Sequence, residues 1–262
     1  MSVILLDEAL VHYEVLGRGR PVIFLHGWVG SWRYWIPSMQ VASTAFRAYA
    51  LDLWGFGDTA HHPSRYTVEQ QVRLLNRFLD KMGIGKVALI GHGLGGMVAL
   101  NYTVSQPERV DRVMAVSCPF AFDAVSERLR TTSPADLVGW LASRTPEAAT
   151  ALSDAPKADP QAITMSLVAL QRNDLFGKVR QARVPCLLVH GQEDPAVAPP
   201  SSSDLSRLSY HMHFIPLEGC GHFPMIDEPS RFHRLLTDFL ALDSGLSPRE
   251  LQLKEEWKRR VR

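Results

Sequence analysis

The sequence predicts an α/β fold: a mostly parallel sheet of eight strands, helices on both faces, and a helical segment inserted after the sixth strand. Three observations predict it. Short apolar runs alternate with longer amphipathic ones through the first half of the chain, the rhythm of a sheet covered by helices rather than of a sandwich or bundle. Several short runs are apolar without alternation, as strands buried on both faces of a parallel sheet must be. The length, 262 residues, is ample for one large domain carrying an insertion.

Residues 2–6 and 10–16 predict an antiparallel hairpin turned at Asp7-Glu8-Ala9, because the second run alternates and Gly17-Arg18-Gly19 ends it. Residues 22–25 and 48–51 predict buried strands. Residues 68–82 place Val72, Leu75, Phe78, Leu79 and Met82 at helical spacing, with Thr67 as N-cap and Gly83 as stop. A strand at 87–90, a helix over 94–105 that ends before Pro107, and a strand at 110–116 follow. Between Pro119 and Gln181 no strand-like run occurs, and Pro134, Pro146, Pro156 and Pro160 punctuate short helical patterns. The rhythm resumes with a strand at 184–190, a helix at 202–208, a strand at 211–217 and a last helix at 229–240. The expected division is a core of residues 1–118 and 183–246, a helical cap of 119–182 and a basic tail of 247–262. The tail holds six basic residues against three acidic ones, and Leu253, Trp257 and Val261 share one helical stripe. Packing on its own domain is the expectation there, with a homodimer contact as the alternative.

Lys and Arg total 28 against 27 Asp and Glu, a net charge of +1, so no broad field recruits nucleic acid or an anionic membrane. No stretch reaches the roughly 18 apolar residues of a membrane span, and the first eight residues lack a basic leader. A cytoplasmic protein without nucleic-acid partner or integral membrane association is expected. Cys118, Cys186 and Cys220 cannot all pair and show no C-x-x-C spacing, which argues against a disulfide scaffold and a cysteine zinc site. Four of the six tryptophans, Trp28, Trp32, Trp35 and Trp54, fall within residues 28–54, more than a core ordinarily needs.

The segment with the most chemical content is Gly91-His92-Gly93-Leu94-Gly95-Gly96, where a buried strand runs straight into a helix. Gly91 and Gly95 occupy the flanks of a G-x-S-x-G elbow, a turn so sharp that only small flanking residues fit, and Gly93 stands where that pattern has serine. The glycines do not match G-x-G-x-x-G, and no G-K-[ST] follows, so a nucleotide site is disfavoured. Asp194 falls in the loop after the strand at 184–190, and His222 in the loop after the strand at 211–217. Loops at the carboxyl ends of successive strands converge on one site in open α/β sheets. Cys118 and Cys220 are weighed as substitute nucleophiles and set below the commoner role of small buried hydrophobes. His92 is expected to point away from the cleft. No H-E-x-x-H or similar spacing exists, so neither metal nor cofactor is expected.

In its order of elbow, Asp and His, the chain resembles the α/β-hydrolase superfamily, in particular its compact esterase and C–C hydrolase members with a helical cap. His26-Gly27-Trp28 resembles that family's HG-x oxyanion loop, residues 52–58 (Asp52-Leu53-Trp54-Gly55-Phe56-Gly57-Asp58) its D-x-R-G-x-G-x-S loop, and Gln106-Pro107-Glu108-Arg109-Val110 its P-x-x-V helix end. Trp54 stands where arginine is common. The resemblance implies His222 as base, Asp194 as its orienting acid, Gly93 at the nucleophile position, and the backbone N–H groups of Trp28 and Leu94 as oxyanion donors. It further implies that Trp32, Trp35, Trp54 and Phe223 meet a hydrophobic or aromatic ester, lactone or carbonyl compound. Gly93 can neither attack a carbonyl nor exchange a proton with His222. Three functions remain open at this point: esterase-like chemistry were the position serine, a non-hydrolytic acid/base enzyme of lyase or isomerase type built on His222–Asp194, or a ligand-binding pseudo-hydrolase.

Overall fold

A computed structural model describes residues 2–172 and 174–251. Eight strands, β1 (Ser2–Leu6), β2 (Ala9–Leu16), β3 (Arg20–Leu25), β4 (Phe46–Leu51), β5 (Val87–His92), β6 (Val110–Val116), β7 (Cys186–Gly191) and β8 (Met212–Leu217), form one sheet. Their spatial order is β1-β2-β4-β3-β5-β6-β7-β8, antiparallel at β1/β2 and β2/β4 and parallel thereafter. Every residue of β5 and β7 is buried, which explains the apolar runs 87–90 and 186–189 that precede His92 and His190. The β1–β2 hairpin turns at Asp7 and Glu8, both in the left-handed region with φ +46° and +64°.

The main covering helices are α1 (Ile36–Ala42), α2 (Val68–Lys81) and α3 (Leu94–Ser105). Thr67 caps α2 by accepting the Gln70 N–H, and Gly83 ends it at φ +67°. Between β6 and β7 lie α4 (Glu127–Thr131), α5 (Pro134–Leu141), α6 (Pro146–Ala151), α7 (Pro160–Leu167), α8 (Ala169–Arg172) and α9 (Leu175–Gln181). Proline starts α5, α6 and α7, where its missing N–H costs nothing, and Ser133, Thr145 and Asp159 cap them. This helical cap is tied to the core at several places. Its first segment bridges to the loop after β7 through Val125 and Val197, and Asp154 near its middle accepts from Ser31 and Arg33.

Several expectations shift at their edges. Strand β7 starts at Cys186, because Pro185 has no N–H for a ladder, and the helix expected at 202–208 is only α10 (Ser202–Leu205). After α11 (Pro224–Asp227), the last helix, α12, runs Pro229–Ala241. The turn Trp32–Trp35, capped by Ser31, and helix α1 are elements for which the sequence offered no expectation. Arg249, at the start of the tail, donates to the carbonyls of Leu208, Ser209 and Met212 and fastens that start to its own domain. The apolar stripe of Leu253, Trp257 and Val261 lies outside the described residues. Among the described residues no helix is long and apolar enough to cross a membrane.

Candidate active site

Strand β5 ends at His92 and α3 begins at Leu94, so Gly93 alone turns the chain, with φ +49° and ψ −112°. Such a conformation costs about 1–3 kcal/mol for a residue carrying a Cβ. The flanks are as tight: a Cβ on Gly91 would run into the Gly95 carbonyl, and one on Gly95 into the Leu25 carbonyl. Gly93 N–H donates to Val116 O at 2.9 Å and Gly95 N–H to His26 O at 3.0 Å, which ties the turn to the ends of β6 and β3. The Leu94 N–H opens a helix, where no turn below can satisfy it. Among the described residues neither it nor the Trp28 N–H has a protein acceptor.

The indole of Trp28 covers this turn. A Cβ at Gly93 would stand 3.1 Å from Cε3 and Cζ3 of Trp28. Trp28 is fully buried, and its Nε1 donates to Ser166 Oγ on α7 at 2.9 Å. Ser166 in turn donates to the Ile163 carbonyl at 2.7 Å. Turn, indole and cap are thus one packed stack.

Asp194 and His222 occupy the loops after β7 and β8, and their side chains are each 1% exposed. His222 Nδ1 donates to Asp194 Oδ2 at 2.9 Å, while Oδ1 accepts the N–H groups of Ala196 (2.8 Å) and Val197 (3.1 Å). Burial works to raise the Asp194 pKa, but the His222 charge, its hydrogen bond and the backbone N–H groups prevail and hold it at about 2. An ionised carboxylate only accepts, so the His222 proton sits on Nδ1 and Nε2 is the basic nitrogen. Among the described residues Nε2 makes no hydrogen bond. The His222 ring lies 4.6 Å from that of His92, which brings the pair to the β5–α3 turn. His92, expected to point away from the cleft, closes a fully buried strand that offers its side chain no water, and its Nε2 lies 2.8 Å from the His222 carbonyl oxygen.

Phe223 is fully buried against Tyr34, His92 and His222, with ring centroids at 5.5, 4.9 and 5.2 Å. The other tryptophans make their contacts elsewhere. Trp35 packs against Phe24, Tyr34 and Phe232, a core position rather than a pocket wall. Trp32 tilts against His12 at 5.6 Å. Trp54 carries Arg65 over its face at 4.8 Å, and Gln71 holds both its backbone N–H and its carbonyl. Sequence reasoning did not find Ser166, which lies 138 residues from the indole it holds, and no local pattern marks it. His92 carried a usable signal: a histidine closing an apolar strand must have a buried partner.

All three cysteines are buried and unpaired. Burial pushes each thiol up, those of Cys186 and Cys220 to about 12, which leaves no thiolate to attack. Ligand atoms of His12, Asp52 and Asp58 come within 4.8 Å of one another. Protein donors already use them: His12 Nδ1 bonds Asp52 at 2.9 Å, the Trp32 and Asp58 N–H groups bond Asp52 at 2.8 and 3.1 Å, and Lys157 bonds Asp58 at 2.8 Å.

Residues 20–162 match the family model described as alpha/beta hydrolase fold. The chain is 27% identical over 256 residues to 2-hydroxy-6-oxo-6-(2'-aminophenyl)hexa-2,4-dienoic acid hydrolase of Metapseudomonas resinovorans, covering 87% of each. It is 24% identical over 299 residues to bifunctional epoxide hydrolase 2 of Sus scrofa, covering 89% of this chain but only 54% of the pig protein, about half its length. Its fold is similar to that of the enol-lactonase from Burkholderia xenovorans LB400, with a TM-score of 0.78 at 20% identity over 92% of this chain and 100% of that one. Sheet order, the strand–helix turn at Gly93 and a family match over more than half the chain agree: the protein belongs to the alpha/beta hydrolase fold family.

Proposed function

We propose that the protein binds a small apolar ester, lactone or related carbonyl compound and hydrolyses it with His222 as general base and no covalent intermediate. The observation that carries this reading is a buried, ionised Asp194 fixing the proton on His222 Nδ1, beside a turn whose central residue, Gly93, has no side chain to attack with. Nε2 of His222 takes a proton from a water as the water oxygen bonds to the carbonyl carbon. Asp194 stabilises the imidazolium, and the N–H groups of Trp28 and Leu94 receive the oxyanion. The bond from carbon to the leaving oxygen then breaks, and the imidazolium returns its proton to that oxygen. Relatives named as hydrolases of a dienoic acid and of epoxides, and a fold shared with an enol-lactonase, support a small organic substrate. The aromatic surfaces of Trp28 and Phe223 suit an uncharged, apolar one. Three buried free thiols suit a reducing, cytoplasmic compartment.

The test is hydrolysis of aromatic p-nitrophenyl esters as a function of pH. Turnover should be lost in His222→Ala at every pH; undiminished turnover in that variant ends the reading. The packing of Trp28 over Gly93 favours a second reading, binding without turnover. Calorimetry separates the two, because tight binding of an ester recovered intact supports the second and product formation removes it.

A further inference from the structure

The chemistry above needs a base, a turn and two N–H donors from separate loops held in register. Behind the His222–Asp194 pair, a buried hydrogen-bond chain joins those loops. Gly27 N–H donates to Tyr34 Oη at 2.6 Å, Tyr34 Oη lies 2.9 Å from His92 Nδ1, and His92 Nε2 lies 2.8 Å from the His222 carbonyl oxygen. The two ends fix the direction of every bond between them, since a backbone N–H only donates and a carbonyl only accepts. His92 therefore carries its proton on Nε2, and the Tyr34 hydroxyl donates to Nδ1 while accepting from Gly27. A second proton on His92 would set two donors against each other at Tyr34. Burial first, and the neighbouring His222, keep that imidazole neutral by holding its pKa well below 6.5. Packing is equally close: a Cβ at Gly27 would stand 2.8 Å from His92 Nδ1, and the Tyr34 and His92 rings meet edge-on at 5.7 Å. Three of the four members belong to or adjoin a site group: Gly27 precedes Trp28, His92 precedes Gly93, and the far end is His222 itself.

We infer that Tyr34 and His92 are positioning residues, forming a neutral, one-directional strut that holds the Trp28 loop, the Gly93 turn and the His222 loop at one spacing. Its catalytic consequence rests on the general-base reading. Its geometry does not.

Three variants test it. His92→Gln keeps an amide N–H near the place of Nε2, His92→Leu fills the space without a donor, and Tyr34→Phe removes the hydroxyl and leaves His92 in place. The first readout is the proton NMR signal of His222 Nδ1–H bonded to Asp194, which needs no turnover. The second is kcat against KM for a p-nitrophenyl ester. The strut predicts a signal retained in His92→Gln and broadened or lost in His92→Leu and Tyr34→Phe. In the latter two kcat should fall about 10- to 100-fold at unchanged KM, as small misplacements of reacting groups do. The double variant Tyr34→Phe/His92→Leu should lose no more than the worse single one, because both break one chain. If His92→Leu does not fold, Tyr34→Phe and His92→Gln still decide the matter. An unaltered His222 signal in Tyr34→Phe, or loss of the signal in His92→Gln, overturns the strut. Absence of turnover in the parent chain, with the signal responding as predicted, overturns the general-base reading and leaves the strut in place.

Discussion

His12 meets Asp52, and His222 meets Asp194, through the same bond, Nδ1 to Oδ2 at 2.9 Å, and all four side chains are out of solvent. The pairs differ in what surrounds the second ring nitrogen. His12 Nε2 faces Glu14 Oε1 at 3.3 Å, and burial, which would lower its pKa, is outweighed by the Asp52 and Glu14 carboxylates, so it lies above the ordinary 6.5. That ring is a clasp between β2 and the loop after β4. Nε2 of His222 has no such partner among the described residues. A His–Asp contact does not by itself make a base; a nitrogen left unclaimed does.

The sharpest way to break this contrast is to remove each ring in turn. His222→Gln should lower kcat for a p-nitrophenyl ester by about 10²–10⁴-fold, the usual range for a general base, whereas His12→Gln should leave kcat intact and lower the denaturation midpoint. Equal losses of kcat would erase the distinction. Next in size, Asp52→Ala leaves the buried His12 Nδ1 and the N–H groups of Trp32 and Asp58 without their acceptor and should cost about 3–5 kcal/mol in urea unfolding, at about 1–3 for each unsatisfied group. A loss under about 1 kcal/mol would show the pair to be dispensable. Gly93→Ala should destabilise by about 1–3 kcal/mol through its positive φ, with crowding against Trp28 added. The smallest effect is that of Trp28→Phe, which removes the Nε1 bond to Ser166 and should cost about 1 kcal/mol.

Acidity separates the two regions further. The His12 pKa is raised, so its contribution to stability is fully present below 6.5 and is lost as pH rises through the folded value. The His92 pKa is lowered, so its contribution is present above 6.5 and is lost as pH falls. Asp194 behaves like His92 on a lower scale, its contribution present above 3.8 and lost as pH falls through about 2. Chemical denaturation from below to above pH 6.5 checks the signs: His12→Gln should remove loss on the alkaline side, and His92→Gln loss on the acid side.

Local chemistry was the legible part of the molecule. The glycines around residue 93 force a strand–helix turn, prolines open three of the cap helices, and Thr67 and Gly83 bound α2. Asp194 and His222 follow the parallel strands β7 and β8 and meet at their shared carboxyl end. Packing across the chain was not legible. The tryptophan excess predicted a pocket wall, yet Trp35 packs in the core against Phe24 of β3 and Phe232 of α12, carried there by the turn Trp32–Trp35, for which the sequence offered no expectation. Asp52 and His12 are 40 residues apart, and His92 and the His222 carbonyl 130, so their bonds exist only once the sheet has formed.

The central claim, that His222 acts on water with no covalent step at Gly93, is tested most directly by intact-protein mass spectrometry during turnover of a p-nitrophenyl ester, with phenolate release followed in the same sample. The account predicts release at a protein mass that never shows an acyl adduct. An adduct accumulating on the chain would contradict it.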